Sequence, residues 1–301
     1  MAVLTMPIRM PQRNRSAAVL AAIGSMSSVQ LGAALSQPLF HRLGPAGVVV
    51  LRLLLAAVVL SVIVRPRLRT RRTRELMVPV ALGVASGILT LAFYEAIARI
   101  PLGIAVAIEF TGPLGVALIS SRRWGDVVWV ALAAGGICLL TLGHPVPGSL
   151  NATGVLFAFL AAAGWGTYIL LTKRVGQSWP GFGGLAVSMA VAVLVTVPFS
   201  LAHLAHRYGD AGTDLAGLAL GVLVPLLPYV LEFWSLRRLP TRVFGVLMSL
   251  EPGIGALLGL VILGQSLAAT GVLAIVLIVG ASLGVTLTGS HEEAAIPLLV
   301  D

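Results

Sequence analysis

The feature that most limits what this chain can become is the return, again and again, of apolar stretches of about 20 residues, each long enough to cross a bilayer. Ten can be read: 17–39, 45–64, 76–97, 102–120, 127–143, 153–172, 183–202, 214–236, 240–263 and 267–287. Short connections rich in Pro, Gly and charge separate them, among them His41 to Gly44, Arg65 to Glu75, Arg99 to Pro101, Ser121 to Asp126 and Gly143 to Asn151. Lipid offers no partner to a backbone N–H or C=O, so a crossing segment that stands alone must be helical. The expected fold is therefore an all-α membrane protein with ten transmembrane helices. Charged residues make up 10% of the chain, where about 25% is usual for soluble domains. No connection is long enough for a soluble catalytic domain, which places function within the spans. Cys138 is the single cysteine, so an intrachain disulfide and a zinc site of several thiolates are excluded.

Lys and Arg distribute unevenly between the two sets of loops. With the N-terminus inside, 16 of the 20 fall in inner segments, including Arg65, Arg67, Arg69, Arg71, Arg72 and Arg74. Outer loops hold Arg42, Arg99 and Arg207, and Arg52 lies within a span. The positive-inside rule then puts both termini in the cytoplasm. It also accounts for the net charge of +9, and no nucleic-acid partner is expected. The start of the chain has the look of a signal peptide, but its apolar stretch is too long and more spans follow. It is read as a retained first span.

A weak internal repeat runs through the sequence. Arg99-Ile100-Pro101 opens the fourth stretch and Pro113 follows in mid-span; Arg238-Leu239-Pro240 opens the ninth, with Pro252 at the same remove. Two halves of five spans each must be inverted relative to one another, and inverted repeats with broken helices near the midplane mark secondary transporters. The expected organisation is a first five-helix repeat over 1–150, a second over 151–290 and a cytoplasmic tail over 291–301.

Charges inside the spans are few: Arg52, Glu95, Glu109, Glu232 and Glu251. Holding Arg52, Glu109 and Glu251 near the bilayer centre costs roughly 9 kcal/mol on insertion scales. Pro113 and Pro252 should break their helices and free the carbonyls of Glu109 and Met248, which at that depth must line a cavity or find a partner. One reading gives the two carboxylates and the guanidinium a shared polar cavity with Thr111 and Ser249 beside them; the other is a buried ion pair that only sets packing. Glu95 is expected to pair with Arg99 four residues on. Glu232 and Tyr229 lie one turn apart on a helix loosened by Pro225 and Pro228, and Glu232 is open between a proton site and a residue that snorkels toward Arg237 and Arg238. Trp165 and Tyr168, flanked by Gly164 and Gly166, wall a substrate pocket or simply pack. Gln30, Ser27 and Ser28 add polarity to the first span. Trp124 and Trp179 fit an interfacial belt. Gly83/Gly87, Gly217/Gly221 and Gly255/Gly259 have the spacing of close helix contacts. No metal site is expected, His203 and His206 being read as surface residues. No cofactor is expected either, and without a phosphate-binding G-x-x-x-x-G-K-[ST] loop ATP does not drive the protein directly. The spans offer no nucleophile with a histidine, so the chain is not read as an enzyme.

Two segments have recognisable wording: IPLGIAVAIEFTGPLGVALISSRR from Ile100 to Arg123, and LPYVLEFWSLRRLPTRVFGVLMSLEP from Leu227 to Pro252. With GPAGVVVLRL around Arg52, they resemble the threonine/homoserine exporters of the EamA-type drug/metabolite transporter superfamily. The resemblance spans about 17–290. It implies a ten-helix inverted-repeat fold in a bacterial inner membrane, exporting small neutral amino acids by proton-coupled antiport. The positions matching the pattern are Arg52, Glu109, Thr111, Pro113, Tyr229, Glu232, Ser249, Glu251 and Pro252. Departures are Glu95, the Arg-rich loop at 65–74, and Gln265, which stands where the family has a glutamate. On this reading Arg52 takes the substrate carboxylate, while Glu109 or Glu251 takes the ammonium in one state and a proton in the other. The alternative keeps the fold and moves another small metabolite or a hydrophobic cation. The oligomeric state is not legible.

Overall fold

The computed structural model describes residues 12–65, 73–120, 127–142, 151–179, 182–207, 211–236, 239 and 247–288. Every extended element among them is helical. The helices are α1 (Gln12–Ser36), α2 (Phe40–Val64), α3 (Thr73–Ile97), α4 (Leu102–Glu109), α5 (Thr111–Ser120), α6 (Val127–Leu142), α7 (Ala152–Ser178), α8 (Gly183–Arg207), α9 (Ala211–Gly221), α10 (Leu227–Leu236), α11 (Glu251–Leu263) and α12 (Ala269–Thr288). Four helical stretches are long and apolar enough to cross a bilayer: Ser16–Val64, Glu75–Ile97, Ala152–Gly176 and Gly183–Leu201. The first of these turns back on itself through a short 3-10 segment, Gln37–Leu39, and a break at Gly44, whose φ of 69° suits a residue without a Cβ. Shorter apolar helices lie at Leu102–Val116, Leu215–Val224, Glu251–Leu263 and Ala269–Gly284.

Burial is inverted relative to a soluble domain. Ile63, Leu194, Val261 and Ile119 point outward, at 70–87% exposure, while Arg52, Glu109 and Glu251 are buried at 8% or less. Large exposed aliphatics in such number mark a surface made for hydrocarbon.

Much of the packing depends on small residues. Gly83 and Gly87 face α8, where an added Cβ would meet Ser188 O at 2.5 Å and Ala192 O at 3.1 Å. Gly217 and Gly221 face Leu51, Leu55 and the backbone of Arg52 on α2, and Gly255 and Gly259 face Val106 and Leu102 on α4. The spacing read from the sequence thus corresponds to real contacts. Because 102, 103 and 106 meet 259, 256 and 255 in turn, α4 and α11 run antiparallel. The main helix pairings are α3 with α7 and α8, α2 with α8 and α9, α1 with α10 and α11, α4 with α7 and α11, and α6 with α12.

Prolines open the ladder, and side chains from neighbouring helices fill the gaps. Pro79 removes the donor that would serve Glu75 O, and Trp179 Nε1 supplies a bond to that carbonyl at 3.0 Å. Trp179 is buried at 5% exposure against Leu82 and Val175. Near Pro225 the chain winds into a π-helical turn, Val222–Leu226. Ser28 Oγ donates to Leu223 O at 2.5 Å and Ser25 Oγ to Pro228 O at 3.2 Å, which binds α1 to this loosened segment. Trp124, Pro240, Arg122, Arg237, Arg238, Arg242, most of the 65–74 loop and the tail lie outside the described residues, as do the side chains of His203 and His206.

Candidate functional site

Two helix breaks build the site. Pro113 cannot donate to Glu109 O, and its ring excludes a carbonyl there. The helix accordingly stops at Glu109 and restarts at Thr111. Thr111 Oγ1 donates to Ile108 O at 2.6 Å, so the hydroxyl seals the break instead of entering the cavity. The second break has another form. Residues 249–250 make a turn, Leu250 N donates to Leu247 O at 3.0 Å, and Glu251 opens α11 with Pro252 in its first turn. A proline costs nothing there, since that N–H has no helical acceptor. Pro252 is the second residue of α11 and Pro113 the third of α5, so each stands in the first turn after its break.

Both breaks deliver a carboxylate to the same place. A cavity of about 180 Å³ is lined by Glu109, Glu251, Arg52, Gln30, Tyr94 and Trp165, with Met248, Val224, Thr90 and apolar residues of α1 and α3 completing it. Arg52 reaches it from α2, where the close approach of Gly221 to its carbonyl seats α9 beside it. Trp165 stands edge-on to Phe110, ring centroids 5.6 Å apart at 83°, which fixes the indole at the break after Glu109.

The polar groups are held unequally. Gln30, 1% exposed on α1, donates from Nε2 to Glu251 Oε1 at 3.0 Å. The Arg52 guanidinium lies over the ring of Tyr94, 4.6 Å from its centroid. Its Nε has no hydrogen-bond partner, and no carboxylate among the described residues forms an ion pair with it. The ion pair considered from the sequence is absent there: the cation rests on an aromatic face in the same cavity as two acids.

Other expected site residues lie elsewhere. Tyr168 packs with Leu82, Val175 and Trp179, and it is not among the residues that line the cavity with Trp165. Ser249 faces α12, its hydroxyl 2.8 Å from that of Ser282. Tyr229 and Glu232 belong to α10, but their side chains lie outside the described residues. Glu95 pairs with Arg99, whose guanidinium also covers the Phe157 ring at 5.2 Å, away from the cavity.

Tyr94 was not singled out from the sequence. It sits beside the conspicuous Glu95, and an aromatic in an apolar span reads as packing until Arg52 is placed beneath it. Gln265 is a second surprise: Oε1 accepts from Leu102 N at 3.0 Å and Nε2 donates to Gln37 Oε1 at 3.3 Å, while Gln37 Nε2 donates to Ile97 O at 2.9 Å. This amide chain caps the start of α4 and ties it to the 3-10 segment after α1, to the end of α3 and to the turn after α11. Among the described residues no cluster of three His, Cys, Asp or Glu side chains is placed to hold a metal ion.

Comparison with known proteins agrees with this architecture. Residues 152–287 match the EamA-like transporter family. The threonine/homoserine exporter RhtA of Salmonella typhimurium is 41% identical over 276 residues, covering 91% of this chain and 92% of the relative. Its Escherichia coli counterpart is 42% identical over 271 residues, covering 89% and 91%. Protein PecM of Dickeya dadantii is more distant, 28% identical over 65% of this chain and 68% of its own length. A crystal structure superposes with a TM-score of 0.59 at 20% identity, over 94% of this chain and all of the other, which is a likeness of fold alone. Identity of 41–42% to the two exporters over about nine-tenths of both chains decides the matter: this chain belongs to the threonine/homoserine exporter family of EamA-like transporters.

Proposed function

We propose that the protein exports small neutral amino acids of the threonine and homoserine type across a bacterial inner membrane, by proton-coupled alternating access. The observation that carries this is the cavity where one guanidinium and two carboxylates meet. A zwitterion needs both signs of charge within a few ångströms, and a buried charge-assisted hydrogen bond to each end is strong. Arg52 takes the substrate carboxylate. Glu251 takes the ammonium group, and Glu109 carries the proton that returns. One proton crossing about 100 mV supplies about 2.3 kcal/mol, enough for a roughly fiftyfold gradient at 1.36 kcal/mol per decade.

The relatives' names support the cargo, and the cavity size does so independently. About 180 Å³ is well below the roughly 300–1,000 Å³ that drug-sized ligands occupy, and a buried arginine repels a hydrophobic cation. A ten-span organisation in two inverted repeats, over 1–150 and 151–290, is supported by the pairing of helices. Exchanging the first five apolar stretches for the last five turns α3 on α7 into α10 on α1, α3 on α8 into α9 on α2, and α4 on α7 into α11 on α1. The remaining pairs, α2 on α8, α4 on α11 and α6 on α12, map onto themselves. The stretch that matches the family, 152–287, also falls within the second of these halves. Rocking of one half against the other about the midplane would expose the cavity to each side in turn, with both termini in the cytoplasm.

The test is efflux of labelled threonine from proteoliposomes with and without an inward proton gradient. The gradient should accelerate efflux from wild type and leave Glu109→Gln and Glu251→Gln unaffected. Equal acceleration in both variants would sink the mechanism.

A further inference from the structure

We propose that Tyr94 is the positioning residue for substrate recognition: its ring holds the Arg52 guanidinium so that it does not close into an ion pair with the cavity's own acids, and the positive charge stays available for the carboxylate of the incoming amino acid. This rests on the reading of Arg52 given above. A buried guanidinium in a cavity with two carboxylates would ordinarily collapse onto one of them, forming a bidentate pair. Here the guanidinium is centred 4.6 Å from the Tyr94 ring instead, where the quadrupole of the face stabilises it, the more so out of water. An aromatic face supplies attraction without a formal charge, so the guanidinium's own positive charge is not cancelled by the group that holds it.

The ring itself is fixed on every side. Tyr94 is 1% exposed, and its hydroxyl lies 3.1 Å from Ser36 Oγ, which in turn donates to Gly32 O at 2.6 Å. Phe40 and Phe93 flank it, with ring centroids at 5.9 and 6.0 Å. Residues from α1, α2 and α3 thus determine one orientation of the platform, and Arg52 Nε is buried without a partner, a donor the protein itself does not use. The charged and titratable described groups lining the cavity are Arg52, Tyr94, Glu109 and Glu251.

The experiment compares threonine with threoninamide, which keeps the ammonium and hydroxyl groups and lacks the carboxylate, as competitors of labelled threonine efflux from proteoliposomes. Wild type should prefer threonine. Tyr94→Leu should weaken threonine roughly tenfold to thirtyfold, the loss of a desolvated cation–π contact, and leave threoninamide little changed. Tyr94→Phe keeps the face and should stay within about threefold of wild type. If Tyr94→Leu does not reach the membrane, Tyr94→Met carries the same expectation. Equal weakening of both competitors would reduce Tyr94 to a packing residue and overturn the proposal. Arg52→Gln separates the two levels: preference lost there but kept in Tyr94→Leu defeats the role of Tyr94 alone, while preference kept in Arg52→Gln defeats the reading of Arg52 and the proposal with it.

Discussion

Glu109 and Glu251 reach one cavity from two antiparallel helices, yet one closes its helix and the other opens it. Glu109 is the last residue of α4, where the helix presents its carbonyl ends, and Glu251 is the first of α11, where it presents its N–H ends. The macrodipole of α11 therefore favours a negative charge at Glu251, while at Glu109 the carbonyl end of α4 is opposed by the N–H end of α5, which begins at Thr111. Gln30 adds a buried donor to Glu251, while Thr111, next to Glu109, spends its hydroxyl on a backbone carbonyl. The two acids of one cavity thus have different surroundings, and that difference is the basis for assigning the ammonium to Glu251 and the proton to Glu109.

The sharpest way to break this comparison is to neutralise each acid in turn. Glu251→Gln should lower threonine exchange under equal pH by at least about tenfold, since it removes a charged partner worth about 1.5–3 kcal/mol. Glu109→Gln should keep that exchange and lose only its response to a proton gradient; the reverse pattern would exchange their roles. A smaller effect is expected where Glu251 is held. Gln30→Leu leaves the carboxylate without its amide donor, costing about 1–3 kcal/mol, and should weaken threonine binding while the matching Thr111→Val next to Glu109 changes it by less than about threefold. Binding isotherms in detergent measure both. The mildest test concerns the seam between the two helices. An added Cβ at Gly103 would lie 2.6 Å from Ala256 Cα, whereas at Gly255 the nearest atom is a Val106 methyl at 3.1 Å. Gly103→Ala should thus destabilise by about 1–3 kcal/mol and Gly255→Ala by less, read as the order of their thermal unfolding midpoints.

Reading the sequence went furthest where a rule acts within one segment. The apolar stretches 127–143 and 153–172 return as α6 and α7, with ends moved by at most a turn or two, because backbone satisfaction in lipid is a local requirement. The glycine pairs identified contact faces, since a missing side chain is felt by whichever helix lies opposite. The three buried charges stood out because of their insertion cost, and the structure lines one cavity with all three. Side-chain direction was less legible. Thr111 and Ser249 stand next to the key acids in sequence but answer to Ile108 O and Ser282, and Tyr168 packs with Leu82, Val175 and Trp179. The bond from Trp179 to Glu75 O is not legible either, because nothing in the neighbourhood of Trp179 reveals that Pro79, a hundred residues earlier, leaves a carbonyl in need of a donor.

The amino-acid order alone determined that this chain forms apolar helices, that prolines interrupt two of them, and that very few charges lie between. These follow from the hydrophobic effect and from backbone geometry, which act over a few residues at a time. Tertiary packing decided which partner each charge received: Gln30 for Glu251, and the face of Tyr94 rather than an acid for Arg52. Such pairings depend on distances between segments far apart in the chain, and a guanidinium, an amide and a ring acquire their roles only when helices bring them within hydrogen-bonding or van der Waals reach.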